Sequence, residues 1–183
     1  MGEKSVPLHQ RKETKNINKK NNKNMKTLAI TGLSANNANT VNNLLSQLLA
    51  DLQVHYTNLR NLHWNIKGHG FFILHEKYEE LYNDVASKVD EVAERILQLD
   101  GQPEHRFSAY LQQSKVKELE VVETGKEGLE YVLETLKTLI SDEREVLAAA
   151  SEGNDEVTVS LMSDYLASQE KTVWMLTAFA SKV

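Results

Sequence analysis

Residues 63–95, HWNIKGHGFFILHEKYEELYNDVASKVDEVAER, decide the fold. From Phe72 onward the apolar residues recur at helical spacing, and the glycines of NIKGHG separate this run from a helix before it. Inside the run His75 and Glu79 stand four residues apart, and so do Asp90 and Glu94. Each helical residue advances about 100° and about 1.5 Å, so each pair projects from one face a turn apart. The eleven steps from Glu79 to Asp90 make about 1100°, within about 20° of whole turns, so all four side chains share one stripe.

Along the axis those eleven steps span about 16 Å, and His75 to Glu94 spans about 28 Å. A metal ion holds nitrogen and oxygen ligands at roughly 2.0–2.2 Å, so the two pairs cannot serve one ion within one chain. Two copies of this helix, antiparallel about a two-fold axis near Asp84 and Val85, would bring His75–Glu79 of one against Asp90–Glu94 of the other, twice per pair of chains. The alternative is an ordinary solvated face, since Glu76, Lys77, Glu80, Asp84, Lys88, Glu91 and Arg95 lie on the same helix. Spacing alone leaves both readings standing. His63 adds weight to the first: it ends the preceding helix in LRNLHWN, where the return can bring it beside His75. Imidazole with carboxylate suits iron, and also zinc or manganese. Trp64 would shield such a site or give it an electron; otherwise it is a packing aromatic.

Outward from this stretch the chain reads as all-α. A first helix is expected from Asn39 or Thr40 to NIKGHG, carried by Val41, Leu44, Leu45, Leu48, Leu49, Leu52, His55, Tyr56, Leu59 and Leu62. The second runs from about Phe72 to Leu99, the third from Lys126 to Ala150, and the fourth from Glu156 to Ser181. A long connection, Pro103 to Val122, carries a short helix at SAYLQQ. Four long helices with one long crossover pack most economically as a four-helix bundle.

The composition agrees. In 183 residues, 40% hydrophobic and 26% charged, there are only 8 Gly and 2 Pro. The absence of cysteine excludes disulfides, thiolate metal sites and cysteine nucleophiles, and fits a reducing cytoplasm. No apolar run reaches the roughly 18–20 residues of a membrane span, and the N-terminus lacks the apolar core of a signal peptide. The expectation is a cytoplasmic protein without a membrane partner.

The net charge of −5 is uneven. Residues 1–24 carry seven Lys or Arg against two Glu, a net +5; the remainder carries 14 basic and 24 acidic residues, a net −10. The segment MGEKSVPLHQRKETKNINKKNNKN has almost nothing to bury and is expected to be a disordered basic extension, with the folded domain at 25–183. It is either a nucleic-acid-binding arm or sequence upstream of a true start at Met25.

The pattern His63-Trp64-Asn65, then His75, Glu79, Asp90 and Glu94, resembles the Dps family, the DNA-binding proteins from starved cells, which are ferritin-like mini-ferritins. The similarity runs from about residue 36 to the end, through FFILHEKYEELYNDVASKVDEVAERILQLDGQP and DYLASQEKTVWMLTAFA. The resemblance implies a ferritin-like four-helix bundle with a short extra helix in the crossover between helices two and three. It also implies a dodecameric shell that oxidises Fe(II), with hydrogen peroxide preferred to oxygen, and stores the ferric product. By that resemblance His63, His75 and Glu79 are iron ligands from one subunit, and Asp90 and Glu94 those of its two-fold neighbour, forming a di-iron ferroxidase site. The family's usual residue at Glu79 is aspartate; glutamate keeps the ligand type and lengthens its reach by one methylene, which bears on the second, weaker iron position. The chain has no Glu-x-x-His pair, so the in-bundle di-iron site of larger ferritins is not indicated.

In the family, acidic residues near the start of the fourth helix line three-fold pores, and Asp155, Glu156 and Asp164 are the candidates here. For Asp155 and Glu156 the competing role is to complement the helix dipole. His69 and His105 have no assignable role. An acidic body repels phosphate, so DNA contact would fall to residues 1–24, many copies acting together. The competing function is a DNA-compacting or structural shell whose metal site is idle or holds zinc.

Overall fold

The computed structural model describes residues 26–181, so the expectation for residues 1–24 lies outside the described residues. Six helices are present among them: α1 Thr27–Thr31, α2 Ala35–Asn65, α3 Phe71–Gln98, α4 Phe107–Gln113, α5 Gly125–Glu152 and α6 Glu156–Ala180. The four long ones form the bundle. α2 packs against α3 and α5, and α5 packs against α6, so two helical hairpins are joined by the crossover that carries α4.

The 3/4 spacing of α2 becomes the spine of the core. Val41, Leu45, Leu48, Leu52 and Leu59 are fully buried and meet Tyr78, Val92 and Ile96 of α3, Val132 and Leu139 of α5 and Met162 of α6. Two close approaches shape the hairpins. A β-carbon at Gly128 would lie 2.3 Å from the Tyr78 hydroxyl, so only glycine lets α5 sit this near α3. Gly68 and Gly70 take φ of +79° and +90°, the left-handed conformations that turn the chain from α2 into α3.

α2 begins at Ala35, earlier than the Asn39–Thr40 start expected from the apolar stripe. Its first turn has no large side chain to bury and is held by a polar contact instead, Asn37 donating to the Ala149 carbonyl; further along, Asn42 donates to the Leu99 carbonyl. α1 is a further helix that periodicity does not reveal. The Thr27 and Leu28 amides donate to the carboxylate of Asp100, which satisfies orphan N–H groups at its start from a residue far along the chain. The other helix ends fall within one or two residues of expectation.

The crossover is clasped by polar side chains of α2. Asp51, fully buried, accepts from Ser114 Oγ at 2.8 Å and from the amides of Lys115 and Val116. Two turns on, Asn58 donates to the Lys117 carbonyl and accepts from the Leu119 amide. Lys88 and Arg95 do not belong to a solvated face: both are buried on the inner side of α3. Arg95 donates to Asp155 at 2.6 Å, Thr158 at 2.8 Å and Gln98 at 2.9 Å, tying the end of α3 to the start of α6.

Candidate metal centre

The turn at residues 66–70 sets the end of α2 beside the start of α3. It is itself anchored to the crossover, since the Lys67 amide donates to the Glu123 carbonyl and Asn61 to the Glu120 carbonyl. This places His63, on the last turn of α2, against His75, on the first turns of α3. Their rings stack with centroids 3.8 Å apart and planes 20° apart.

The hydrogen bonds between them are reciprocal. His63 Nδ1 donates to the His75 carbonyl at 2.8 Å, and His75 Nδ1 donates to the His63 carbonyl at 2.8 Å. A carbonyl oxygen can only accept, so each Nδ1 must carry the proton. In the neutral imidazoles both Nε2 lone pairs are then free for a metal ion. The pairing also satisfies the His63 carbonyl, one of the four that a helix leaves open at its C-terminus. Backbone thus fixes the tautomer and the ring orientation of both histidines, the role that outer-shell partners play in metal sites.

Glu79, one turn beyond His75, completes the group: ligand atoms of His63, His75 and Glu79 all lie within 4.8 Å of one another. His63 is buried, His75 half-buried and Glu79 exposed, so the group opens outward along α3. Two nitrogens and a carboxylate oxygen suit Fe(II), yet they are half of a coordination shell. Asp90 and Glu94 are exposed further along the same helix and do not join the group within one chain.

Aromatic residues that the spacing does not single out frame the histidines. Tyr82 meets the His63 ring edge-on at 5.3 Å, and Phe71 stacks on His75 at 5.0 Å. Burial first, then the Glu79 carboxylate, pushes the Tyr82 phenol pKa up. An aromatic three residues after Glu79 and another four before His75 are the sequence signal that marks them. Trp64 is 63% exposed and does not pack in the core of the single chain. Arg60 covers it, its guanidinium 4.5 Å from the ring centroid, and also lies 5.5 Å from Tyr56.

The three acidic candidates near α6 separate. Asp155 is buried and caps α6, accepting from the Thr158 amide and hydroxyl as well as from Arg95. Burial acts to raise its carboxyl, but the hydrogen bonds from Arg95 and Thr158 outweigh this and hold it below the ordinary value. Asp155 therefore fills the helix-start role. Glu156 and Asp164 are exposed and line one groove with Glu91 and Glu94, so the stripe of α3 continues into the start of α6 as an acidic trough. His69 is exposed, and His105 is exposed with Glu104 3.9 Å away.

Comparison with known proteins identifies the family. Residues 42–183 match the Ferritin family, described as a ferritin-like domain. The chain is 53% identical over 138 residues to the DNA protection during starvation protein of Porphyromonas gingivalis, covering 75% of this chain and 87% of that protein. It is 36% identical to DNA protection during starvation protein 2 of Bacillus anthracis, over 76% of this chain and 95% of that one. Among solved structures it resembles the Dps protein of Vibrio cholerae O1, described as a member of a broad superfamily of ferritin-like diiron-carboxylate proteins. The TM-score is 0.80 at 43% identity, covering 81% of this chain and 94% of that one. Among the described residues no helix is long and apolar enough to cross a membrane. With fold and relatives in agreement, the chain belongs to the Dps family of ferritin-like proteins.

Proposed function

We propose that the protein is a ferroxidase that oxidises Fe(II) with hydrogen peroxide and stores the ferric product inside a dodecameric homo-oligomer. The observation that carries this reading is the reciprocal bonding of His63 and His75, which leaves two Nε2 lone pairs beside Glu79 with half of a coordination shell open. Asp90 and Glu94 of a second copy supply the other half. The two pairs are symmetric about the midpoint of residues 84 and 85, so an antiparallel two-fold pairing of α3 completes two sites at once.

Iron is the substrate. Two Fe(II) held close together give one electron each to peroxide, whose O–O bond breaks with both oxygens reduced to the level of water, and no hydroxyl radical is released. The histidines hold Fe(II) on arrival, and the hard carboxylates of Glu79, Asp90 and Glu94 favour the Fe(III) product. Glu79 in place of the family's aspartate carries its carboxylate one methylene further, which weakens or relocates the second iron. Glu156 and Asp164 draw cations along the trough toward Glu94, because clustered carboxylates focus positive ions.

The test is to mix metal-free protein with Fe(II) anaerobically, add peroxide, and follow ferric absorbance. The reading expects fast oxidation in the parent and its loss in both His63→Ala/His75→Ala and Asp90→Ala. Equal, slow oxidation in parent and variants would discard it.

A second reading rests on the contrast between the net +5 of residues 1–24 and the net −10 of the remainder: that the assembly compacts DNA through the basic segments, protecting it physically. It expects DNA retardation that falls steeply with salt and disappears when residues 1–24 are deleted. Retardation that survives the deletion would end it.

A further inference from the structure

The bundle interior holds a second polar cluster, with no residue in common with the histidine group. At its centre Glu143 of α5 is fully buried, and Gln169 of α6 is 4% exposed. Gln169 Nε2 donates to one Glu143 oxygen, but Glu143 Oε2 and Gln169 Oε1 have no partner among the described residues. Beside them the buried Tyr165 hydroxyl donates to Glu91 at 2.7 Å. Lys88 of α3 is 4% exposed; its ammonium pairs with Asp84 and lies 5.2 Å from the centre of the Tyr165 ring.

Carboxylate, amide and phenol oxygens are the donor types that a hard divalent cation takes, and in a dry core they are costly when uncompensated. Here two monovalent charges stand in for such a cation. One is the Lys88 ammonium, whose field reaches Glu143 and the buried His55. The other is a proton: burial pushes the Glu143 carboxyl up to about 8, so at neutral pH it is held as the acid. From this arrangement we infer that Lys88 is a built-in cation that closes the bundle interior to divalent metal, and that it confines metal to the outer face of α3. Without its charge, Glu143, Gln169 and Tyr165, with Asp84 and Glu91 at the mouth, would take up one divalent ion per chain in exchange for the Glu143 proton.

This inference holds whether or not the protein oxidises iron, because it is read as a difference from the parent. Full-length parent, Lys88→Met, Lys88→Arg and Lys88→Met/Glu143→Gln are titrated with Co(II), following visible absorbance and the metal retained per chain after desalting. Lys88→Met should retain one Co(II) per chain more than the parent, with a new absorbance band. Lys88→Arg, which keeps the charge, should retain no more than the parent, and the double variant should lose the extra ion. The same count in Lys88→Met and parent, or an extra ion that survives Glu143→Gln, overturns the inference. Should Lys88→Met unfold without metal, recovery of helical circular dichroism on adding Co(II) supports it, and a chain that stays unfolded overturns it.

Discussion

The outer and inner faces of α3 carry similar residue types and treat them in opposite ways. Outside, Glu79, Asp90 and Glu94 are exposed without an ion-pair partner among the described residues, and the two histidines beside Glu79 keep free lone pairs. Inside, Lys88 is paired with Asp84, Arg95 with Asp155, and Glu143 with Gln169. A charge in contact with water can wait for a ligand, because solvent stabilises it meanwhile. A buried charge has no such reserve and must find its compensation within the fold. Open ligand groups on one face and cohesion on the other follow from that difference in surroundings, since both faces draw on carboxylates.

The largest expected effect breaks the outer face. Replacing both histidines by alanine should slow peroxide-driven ferric absorbance by roughly 100-fold or more. Oligomers reassembled from equal parts of His63→Ala/His75→Ala and Asp90→Ala chains sharpen the point. In a mixed pair one site has both halves damaged and the other is intact, so activity should return in part. No recovery would mean that the two halves do not meet across chains.

On the inner face, Asp155→Ala leaves Arg95 buried without its anion and α6 without its cap. The expected loss is about 3–5 kcal/mol in urea unfolding at fixed protein concentration. A loss below about 1 kcal/mol, the scale of a surface pair, would place the pair with solvated contacts.

The pH dependence of stability is the next test. Glu143 is raised to about 8 from its ordinary 4.5, so its contribution is whole at pH 4.5 and below and is lost as pH rises through 8. His55, lowered to about 3 by burial and then by Lys88, acts oppositely: its contribution is whole above 6.5 and is lost on acidification toward 3. From pH 6.5 to 8 the parent should lose about 2 kcal/mol, while Glu143→Gln should stay nearly level. Parallel slopes would show that Glu143 is ionised throughout that range.

The smallest effect concerns the trough. Glu156→Gln/Asp164→Asn should slow iron uptake by a few-fold at low ionic strength, with the difference shrinking as salt screens the field. A deficit unchanged by salt would point to a contact role instead.

The bundle was legible because Val41 through Leu62 and the matching stripes of α3 and α5 follow the helical period so closely. α1 was not, since it is held by Asp100, a contact more than seventy residues away that no local pattern encodes. The stripe geometry and His63 could be read from spacing and a glycine turn. The tautomers could not: they depend on backbone carbonyls, and every residue has one. The burial of Lys88 and Arg95 was hidden for a related reason. A lysine in a charged helix reads the same whichever way packing turns it, and the partners that decide, Asp155, Thr158 and Tyr165, arrive from α6.

The clasp of Asp51 and Asn58 on the crossover has a consequence for exchange and for engineering. The amides of Lys115, Val116 and Leu119 are held by side chains of the most buried helix. They can open only when α2 loosens, so their deuterium uptake should follow that of the core, unlike that of a surface loop. Within the crossover, residues 114–119 should resist an inserted peptide that the exposed segment around His105 and Arg106 would tolerate.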